Sequence, residues 1–334
     1  MKKTFRCALI GCGGVSVMHF QGLNDAGQDI VAVCDKQAEK AEKARDTYAP
    51  TAQVYTDYKQ MLAEVKPDAV HICTPHFLHF PMAKDALEAG CHVFLEKPVC
   101  VSEEEITRLT EVARASGKYL NICFQNRFLP IHREAYRLVE EWGGALSARA
   151  MVTWKRDGAY YTASEWRGRH ATEGGSTMIN QAIHELDLLL SFMGQPLSVS
   201  ATVANHHNKD IIETEDACEA RILFGGDRVG LFYATTGYDH DAPNMLEIKC
   251  KEHTLLLYGN VMLVDGKPYA YPEDENLVTS MGKSCWGIGH VRLISLFYDA
   301  IESGTPVPVS IESAAVAVRV LLACYRSHGQ SVTL

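Results

Sequence analysis

Chemistry in this sequence begins with a lysine. Lys97 stands in Glu96-Lys97-Pro98, directly after the apolar run His92-Val93-Phe94-Leu95. At the carboxyl end of a strand a lysine can be partly desolvated and clamp, or share a proton with, a substrate oxygen. The plainer reading is a surface lysine ahead of a turn proline. A second group follows in the stretch from Glu173 to Asp187, which opens on Gly174-Gly175-Ser176. Ser176 reads as the N-cap of a helix. On that helix Asn180, His184 and Asp187 stand at i, i+4 and i+7 and share one face. His184 is the side chain suited to general acid–base work near neutral pH. Beside Leu186 and Leu188 it also reads as a satisfied core histidine.

A third group is glycine-rich. Gly11-Cys12-Gly13-Gly14-Val15-Ser16 follows the apolar run Cys7-Ala8-Leu9-Ile10 and opens a helix. The first glycine permits the tight turn. The second removes a side chain so that backbone can reach a pyrophosphate, and the helix N-terminus supplies N–H groups. Ser16 occupies the place of the third glycine. Asp35 ends the next apolar run, Ile30–Cys34, where a carboxylate meets a ribose diol and opposes a 2′-phosphate. Its alternative use is to cap the following helix. The pattern therefore predicts a bound dinucleotide, NAD rather than NADP, although adjacent Lys36 could partly accommodate a phosphate.

Trp154, Arg156, Tyr160, Tyr161, Trp166, Arg167 and Arg169 form a polar-aromatic stretch before the histidine segment. Aromatic faces suit sugar C–H surfaces, and arginines suit carboxylate or phosphate. Some of these aromatics can equally anchor a sheet or a subunit contact. His71, His76 and His79 invite a metal reading, but no carboxylate or thiol completes a ligand set at the required spacing. No metal is expected. His206-His207 reads as solvated loop, and Asp239-His240-Asp241 as a turn.

The elements that must carry these groups fall into two rhythms. Up to residue 124, short apolar runs (7–10, 30–34, 69–73, 92–95 and 119–124) alternate with helix-forming stretches at Lys36–Tyr48, Phe80–Ala89 and Glu103–Ser116. Unalternated runs separated by helices imply a doubly wound parallel sheet covered on both faces. Then, after a helix over Pro130–Glu141, strands follow one another at 197–205, 217–224, 229–235, 245–250, 254–258 and 261–264. Asp265-Gly266 marks a turn. This is the pattern of a mostly antiparallel sheet. Helices return at Gly289–Ser303 and Glu312–Ser327. The expected division is a nucleotide domain over 1–122 and a substrate and oligomerisation domain over 123–288. The helices of 289–334 would pack back on the first domain.

Composition sets the background. The 334 residues are 47% hydrophobic and 22% charged, as in a soluble globular chain. The net charge of −9 disfavours nonspecific nucleic-acid binding, which needs clustered cations. Eleven cysteines are an odd number and include no C-x-x-C pair, so they read as buried thiols of a reducing cytoplasm. No apolar run is long enough for a membrane span or a leader.

Taken together, Glu96-Lys97-Pro98 and the glycine-led Asn/His/Asp segment resemble the glucose–fructose oxidoreductase / inositol dehydrogenase (Gfo/Idh/MocA) family. The resemblance extends over nearly the whole chain. It includes Gly11–Ser16, Ala69–Pro75 with His79, Ala89–Pro98, Gln125-Asn126-Arg127, Trp166-Arg167-Gly168 and the tail from Gly289 to Ser327. It implies a Rossmann domain joined to an antiparallel-sheet domain, a bound nicotinamide cofactor and hydride transfer at a secondary alcohol carbon of a sugar, glycoside or cyclic polyol. It implies catalytic roles for Lys97 and His184, with Asn180 orienting substrate. Cofactor contacts would come from Gly11, Cys12, Gly13, Gly14, Val15, Ser16, Asp35, Lys36, Thr74, Pro75, His76, His79, Glu96, Lys97 and Gln125. Substrate contacts would come from Lys97, Arg127, Tyr160, Trp166, Arg167, Asn180, His184 and Asp187. Relatives of this kind form homodimers or homotetramers.

One departure matters. Many members carry Asp where this chain has Asn180, and Gly where it has Ala182; a subset shares the asparagine. An amide cannot exchange a proton in this pH range and only orients by hydrogen bonds, so proton transfer shifts to His184. Two other readings stay open: a redox-neutral glycosidase that oxidises, eliminates, hydrates and reduces, and a noncatalytic dinucleotide-binding regulator.

Overall fold

The computed structural model describes residues 3–272 and 288–334. It separates into two units, one holding residues 3–129 and 288–314, the other residues 130–272 and 315–334. The break thus falls after Leu129 rather than at residue 122. The tail is also divided: only its first helix belongs wholly to the first unit, because the second becomes part of the other unit from Ala315 onward.

In the first unit, among the described residues, six strands form a parallel sheet: β1 (Arg6–Ile10), β2 (Asp29–Cys34), β3 (Gln53–Tyr55), β4 (Ala69–Ile72), β5 (His92–Glu96) and β6 (Leu120–Cys123). Their spatial order is β3-β2-β1-β4-β5-β6. The direction of winding therefore reverses between β1 and β4, where a crevice opens at the strands' carboxyl ends. Helices α1 (Ser16–Asp25), α2 (Ala38–Tyr48), α3 (Tyr58–Val65), α4 (His79–Glu88) and α5 (Glu103–Ser116) are the crossovers. Local chemistry sets their ends. Ser102 caps α5 by accepting from the Glu105 N–H, three glutamates occupy the first turn, and Gly117 closes it in the left-handed region. Asp57 caps α3 through Lys59 and Gln60. β3 and α3 lie outside the sequence expectation, since three residues of strand carry almost no pattern.

In the second unit, α6 (Pro130–Glu141) leads into β7 (Ser147–Thr153), α7 (Gly158–Thr162), α8 (His170–Glu173) and α9 (Ile183–Met193). Strands β8 (Pro196–Ala204), β9 (Ala217–Phe224), β10 (Arg228–Thr235), β11 (Met245–Lys249), β12 (Thr254–Tyr258), β13 (Val261–Val264) and β14 (Lys267–Pro268) follow. α10 (Gly289–Ser303) belongs to the first unit; α11 (Ile311–Ser327) and β15 (Ser331–Thr333) complete the chain. The nine described strands of this unit form one sheet, ordered β14-β13-β12-β11-β7-β10-β9-β8-β15. It is antiparallel except for the parallel pair β7–β10. Helix α9 packs on β7, β10 and β11. Gly230 allows the approach: a Cβ there would meet Leu189 at 3.0 Å.

Candidate active site

In the first unit the glycine turn takes the shape its residues require. Gly11 has φ +92° and donates its N–H to the Cys34 carbonyl at 2.8 Å. A Cβ on it would lie 2.6 Å from the Cys73 carbonyl oxygen, so only glycine fits between β1 and β4. A Cβ on Gly13 or Gly14 would meet nothing within 4 Å. That open cradle, at the N-terminus of α1, fits a pyrophosphate. Ser16 is buried and donates its Oγ–H to the Gly13 carbonyl at 2.6 Å, which closes the turn. Val15 is the residue before the helix. Asp35 lies against the same turn. Its Oδ2 accepts from Cys12 N at 2.9 Å and its Oδ1 from Gln37 N at 2.9 Å. Gln37 precedes α2 and that helix has no side-chain cap, so Asp35 braces the glycine turn and the approach to α2 rather than capping the helix. Exposed Lys36 stands beside it. Burial, then Asp35 and Cys34, push the Cys12 thiol up to about 12, so it is no nucleophile.

Thr74 and Pro75 follow β4, Lys97 follows β5 and Gln125 follows β6, all on the same carboxyl edge. The Lys97–Pro98 peptide is cis. His79 is fully buried, with Nδ1 2.6 Å from the Pro98 carbonyl and Nε2 2.9 Å from that of Thr74. It ties together the loops that follow β4 and β5. His76 is also buried. Arg127 donates to Ser313 Oγ at 2.7 Å and stacks over Phe124, so its guanidinium has a structural use apart from the expected substrate contact.

Sequence reasoning missed what lies behind Lys97. His19 Nε2 is 3.0 Å from Glu96 Oε1, His19 Nδ1 is 2.9 Å from His71 Nδ1, and His71 Nε2 is 2.8 Å from the Tyr298 hydroxyl. His290 approaches Glu96 at 3.5 Å. Burial alone would raise the Glu96 pKa; hydrogen bonds from His19 and His290 outweigh it and hold the carboxyl well below the usual range. Ligand atoms of His19, Glu96, Cys123 and His290 lie within 4.8 Å of one another. A donor cluster thus exists, though not among His71, His76 and His79. His19 and Glu96 already satisfy each other by hydrogen bonding.

In the second unit the expected helix from Ser176 is interrupted. Thr177–Gln181 forms a π-helical turn, and α9 begins only at Ile183. Ala182 N bonds to the Thr177 carbonyl at 2.8 Å, five residues back. The extra residue in that turn breaks the regular spacing between Asn180 and His184, so they do not share one α-helical face. Ser176 makes no side-chain cap; its Oγ donates to the Tyr161 hydroxyl at 3.0 Å. The cause is buried Glu215, which accepts from Ser176 N at 3.1 Å, Met178 N at 2.9 Å and the Tyr325 hydroxyl at 2.5 Å. Nothing in the local sequence points to it.

His184 lies in the first turn of α9, with Asp187 one turn on. Asp187 is buried, 2% exposed. Asn180 donates Nδ2–H to Glu173 Oε1 at 2.5 Å. The aromatic-arginine stretch forms one cluster. Arg167 stacks over Tyr160 at 4.2 Å and lies 5.6 Å from the Trp166 ring. Arg156 lies over Trp154 and Tyr160, pairs with Asp241 at 2.9 Å and donates to Gln181 at 3.0 Å. Gln181 donates to the Tyr160 hydroxyl at 2.7 Å. Asp241 thus does more than turn the chain.

Residues 5–124 match the family model described as "Oxidoreductase family, NAD-binding Rossmann fold", and residues 132–256 match the "GFO/IDH/MocA C-terminal domain". The D-glucoside 3-dehydrogenase of Escherichia coli is 32% identical over 219 residues, 64% of this chain and 60% of that protein. An inositol 2-dehydrogenase of Corynebacterium glutamicum is 29% identical over 194 residues, 57% of this chain and 54% of that protein. The chain therefore aligns with less than two thirds of the length of these curated relatives. The crystal structure of the WlbA dehydrogenase from Bordetella pertussis, in complex with NADH and UDP-GlcNAcA, superposes with a TM-score of 0.86 at 25% identity, covering 99% of both chains. With both family domains matched in order, and with the glycine turn, Asp35 and Lys97 on one edge of a β3-β2-β1-β4-β5-β6 sheet, the chain belongs to the GFO/IDH/MocA oxidoreductase family and its first unit is that family's NAD-binding Rossmann domain.

Proposed function

We propose that the protein is an NAD-dependent dehydrogenase acting on a secondary alcohol carbon of a sugar, glycoside or cyclic polyol. The observation that carries this reading is Lys97 at the carboxyl end of β5, on the edge that also bears the glycine turn and Asp35. The names of the relatives, a glucoside 3-dehydrogenase and an inositol 2-dehydrogenase, support the substrate class. Bound nicotinamide supplies a hydride acceptor. Gly13 and Gly14 leave room for the pyrophosphate, and Asp35 receives the ribose diol. His184 takes the hydroxyl proton as the carbinol C–H bond breaks. Lys97 stabilises the developing alkoxide. Asn180 orients a substrate hydroxyl, and the Tyr160–Trp166–Arg167 cluster offers aromatic faces to the ring.

Purified protein with NAD and a panel of glycosides, hexoses and inositols should accumulate NADH. Lys97→Ala and His184→Ala should each lower turnover by several orders of magnitude while NAD affinity stays within about threefold. Near-wild-type turnover in both variants would overturn the assignment. Glycoside cleavage without NADH accumulation would replace it with the redox-neutral reading.

The same proposal covers assembly and location. Met151, Leu231 and Tyr233 lie on one face of the nine-stranded sheet, where Leu231 is 50% exposed, interspersed with Arg149 and Arg221. That apolar but charged face supports a homodimer or homotetramer, which sedimentation tests. Among the described residues no helix is long and apolar enough to cross a membrane, and the ten described cysteines are all unpaired, which supports a cytoplasmic protein.

A further inference from the structure

We propose that Glu173 is a positioning residue that decides which end of the Asn180 side-chain amide faces the substrate. This deepens the reading of Asn180 as a substrate-side residue and rests on it. The contact between the two is 2.5 Å, from Asn180 Nδ2 to Glu173 Oε1. An ionised carboxylate only accepts, so it draws the amide nitrogen toward itself and turns the carbonyl Oδ1 away. A protonated carboxyl can donate at the same oxygen. It then draws Oδ1 inward and turns the NH2 group away. Amide oxygen and nitrogen are nearly the same size, so the exchange is a rotation about one side-chain bond and needs no extra volume.

The backbone around this pair is held in place while the amide turns. Gly168 N donates to Glu173 Oε2 at 2.5 Å, and Gly168 is itself packed against Ile212 and held by Glu213 N on its carbonyl. Glu215 pins the turn that carries Asn180. Glu173 is fully buried. Burial pushes it up to about 7, against the bonds from Gly168 and Asn180, so both forms occur near neutrality. The charged and titratable groups facing it are Glu215, Arg167, Tyr160 and Tyr161 of α7, and Tyr325 of α11. Glu215 opposes ionisation of Glu173 and Arg167 favours it.

The consequence is a preference between the two sides of an alcohol–ketone reaction. A substrate hydroxyl donates to an outward Oδ1, the carboxylate form. A product carbonyl accepts from an outward NH2, the acid form. Glu173→Gln imitates the acid form permanently. Gly168 N requires an acceptor, so the glutamine oxygen must face it, leaving the glutamine NH2 to face Asn180 and turn Oδ1 inward.

The test is a pH titration of the Asn180 side-chain NH2 resonances by 15N–1H NMR on the full chain, with Asn180→Asp identifying the pair. The expected result is a shift in wild type with a midpoint near 7 that disappears in Glu173→Gln. Resonances unchanged in wild type from about pH 5.5 to 8.5 overturn the proposal, as does a titration that persists in Glu173→Gln. The wild-type arm stands even if the variant fails to fold. It also stands if no sugar is oxidised, so failure of the dehydrogenase reading is a separate result. With a substrate in hand, Glu173→Gln should raise KM for the alcohol about tenfold at pH 8.5, the size of one hydrogen bond, and leave it near wild type at pH 5.5. A purely structural role would move KM equally at both.

Discussion

Replacing Glu185 by glutamine should stabilise this protein increasingly as pH rises above about 5, with most of the gain in place by neutrality. Glu185 lies in the first turn of α9, 5% exposed, and its hydrogen-bond partner is Asn244 Nδ2 at 2.8 Å. Burial raises its carboxyl from the ordinary 4.5 to about 7; the Asn244 bond opposes the rise, and Asp187 adds to it. A folded pKa above the unfolded one means that the folded state holds the proton more tightly. The stabilising contribution is complete below about pH 4.5 and is lost as pH rises through 7. At ~1.4 kcal/mol per pH unit, keeping the ionised group buried costs about 3 kcal/mol at pH 8.5 and under ~1 kcal/mol near pH 5. Glutamine has the same shape, carries no charge and keeps an acceptor for Asn244. Its NH2 also suits the Asn244 Oδ1, a buried atom without a hydrogen-bond partner. Urea unfolding of wild type and Glu185→Gln at pH 5.0, 7.0 and 8.5 measures the difference. The gain should grow by about 2–3 kcal/mol from the lowest pH to the highest. A pH-independent gain, or a loss at pH 8.5, would refute the assignment of a buried, charge-penalised carboxyl.

Three further outcomes follow from single contacts. Gly11→Ala places a methyl 2.6 Å from the Cys73 carbonyl at a positive φ; it should lower stability by more than ~1 kcal/mol and weaken NAD binding at least about tenfold, as calorimetry would show. Tyr325→Phe removes the 2.5 Å hydroxyl donor of buried Glu215; a loss of about 1.5–3 kcal/mol in chemical denaturation is expected, and an unchanged midpoint would sink the role given to Glu215. Asp35→Ser removes the carboxylate that opposes a 2′-phosphate; the ratio of NADP to NAD affinity should rise about tenfold or more, and an unchanged ratio would move specificity elsewhere.

Much of the first unit was legible because its signals are local. A turn that needs Gly11 and a carboxylate at Asp35 are each defined within a few residues of a strand end. The π turn at Thr177–Gln181 was not legible. Glycines, a serine and helix formers describe an ordinary helix entry, and the interruption comes from Glu215, close in space but distant in sequence. The surroundings of Asp187 and His79 were out of reach for a related reason. Residue type says that an aspartate or histidine can bind a ligand, whereas burial decides that Asp187 faces the interior and His79 joins two loops. The mostly antiparallel sheet was legible from alternation, but the parallel β7–β10 pair was not, since pairing direction depends on connections rather than on period.

The sequence by itself determined the class of chemistry. Strand period, glycine positions and the lysine, histidine and aspartate at particular offsets are properties of short segments, and the backbone has few ways to satisfy them. Tertiary structure alone decided the protonation and orientation of the working groups. Glu96 is held ionised by two histidines from α1 and α10, Glu173 is raised to about 7 by burial, and the Asn180 amide is turned by Glu173. Charge states and hydrogen-bond directions depend on desolvation and on neighbours brought together from distant parts of the chain, and no local pattern of residues encodes either.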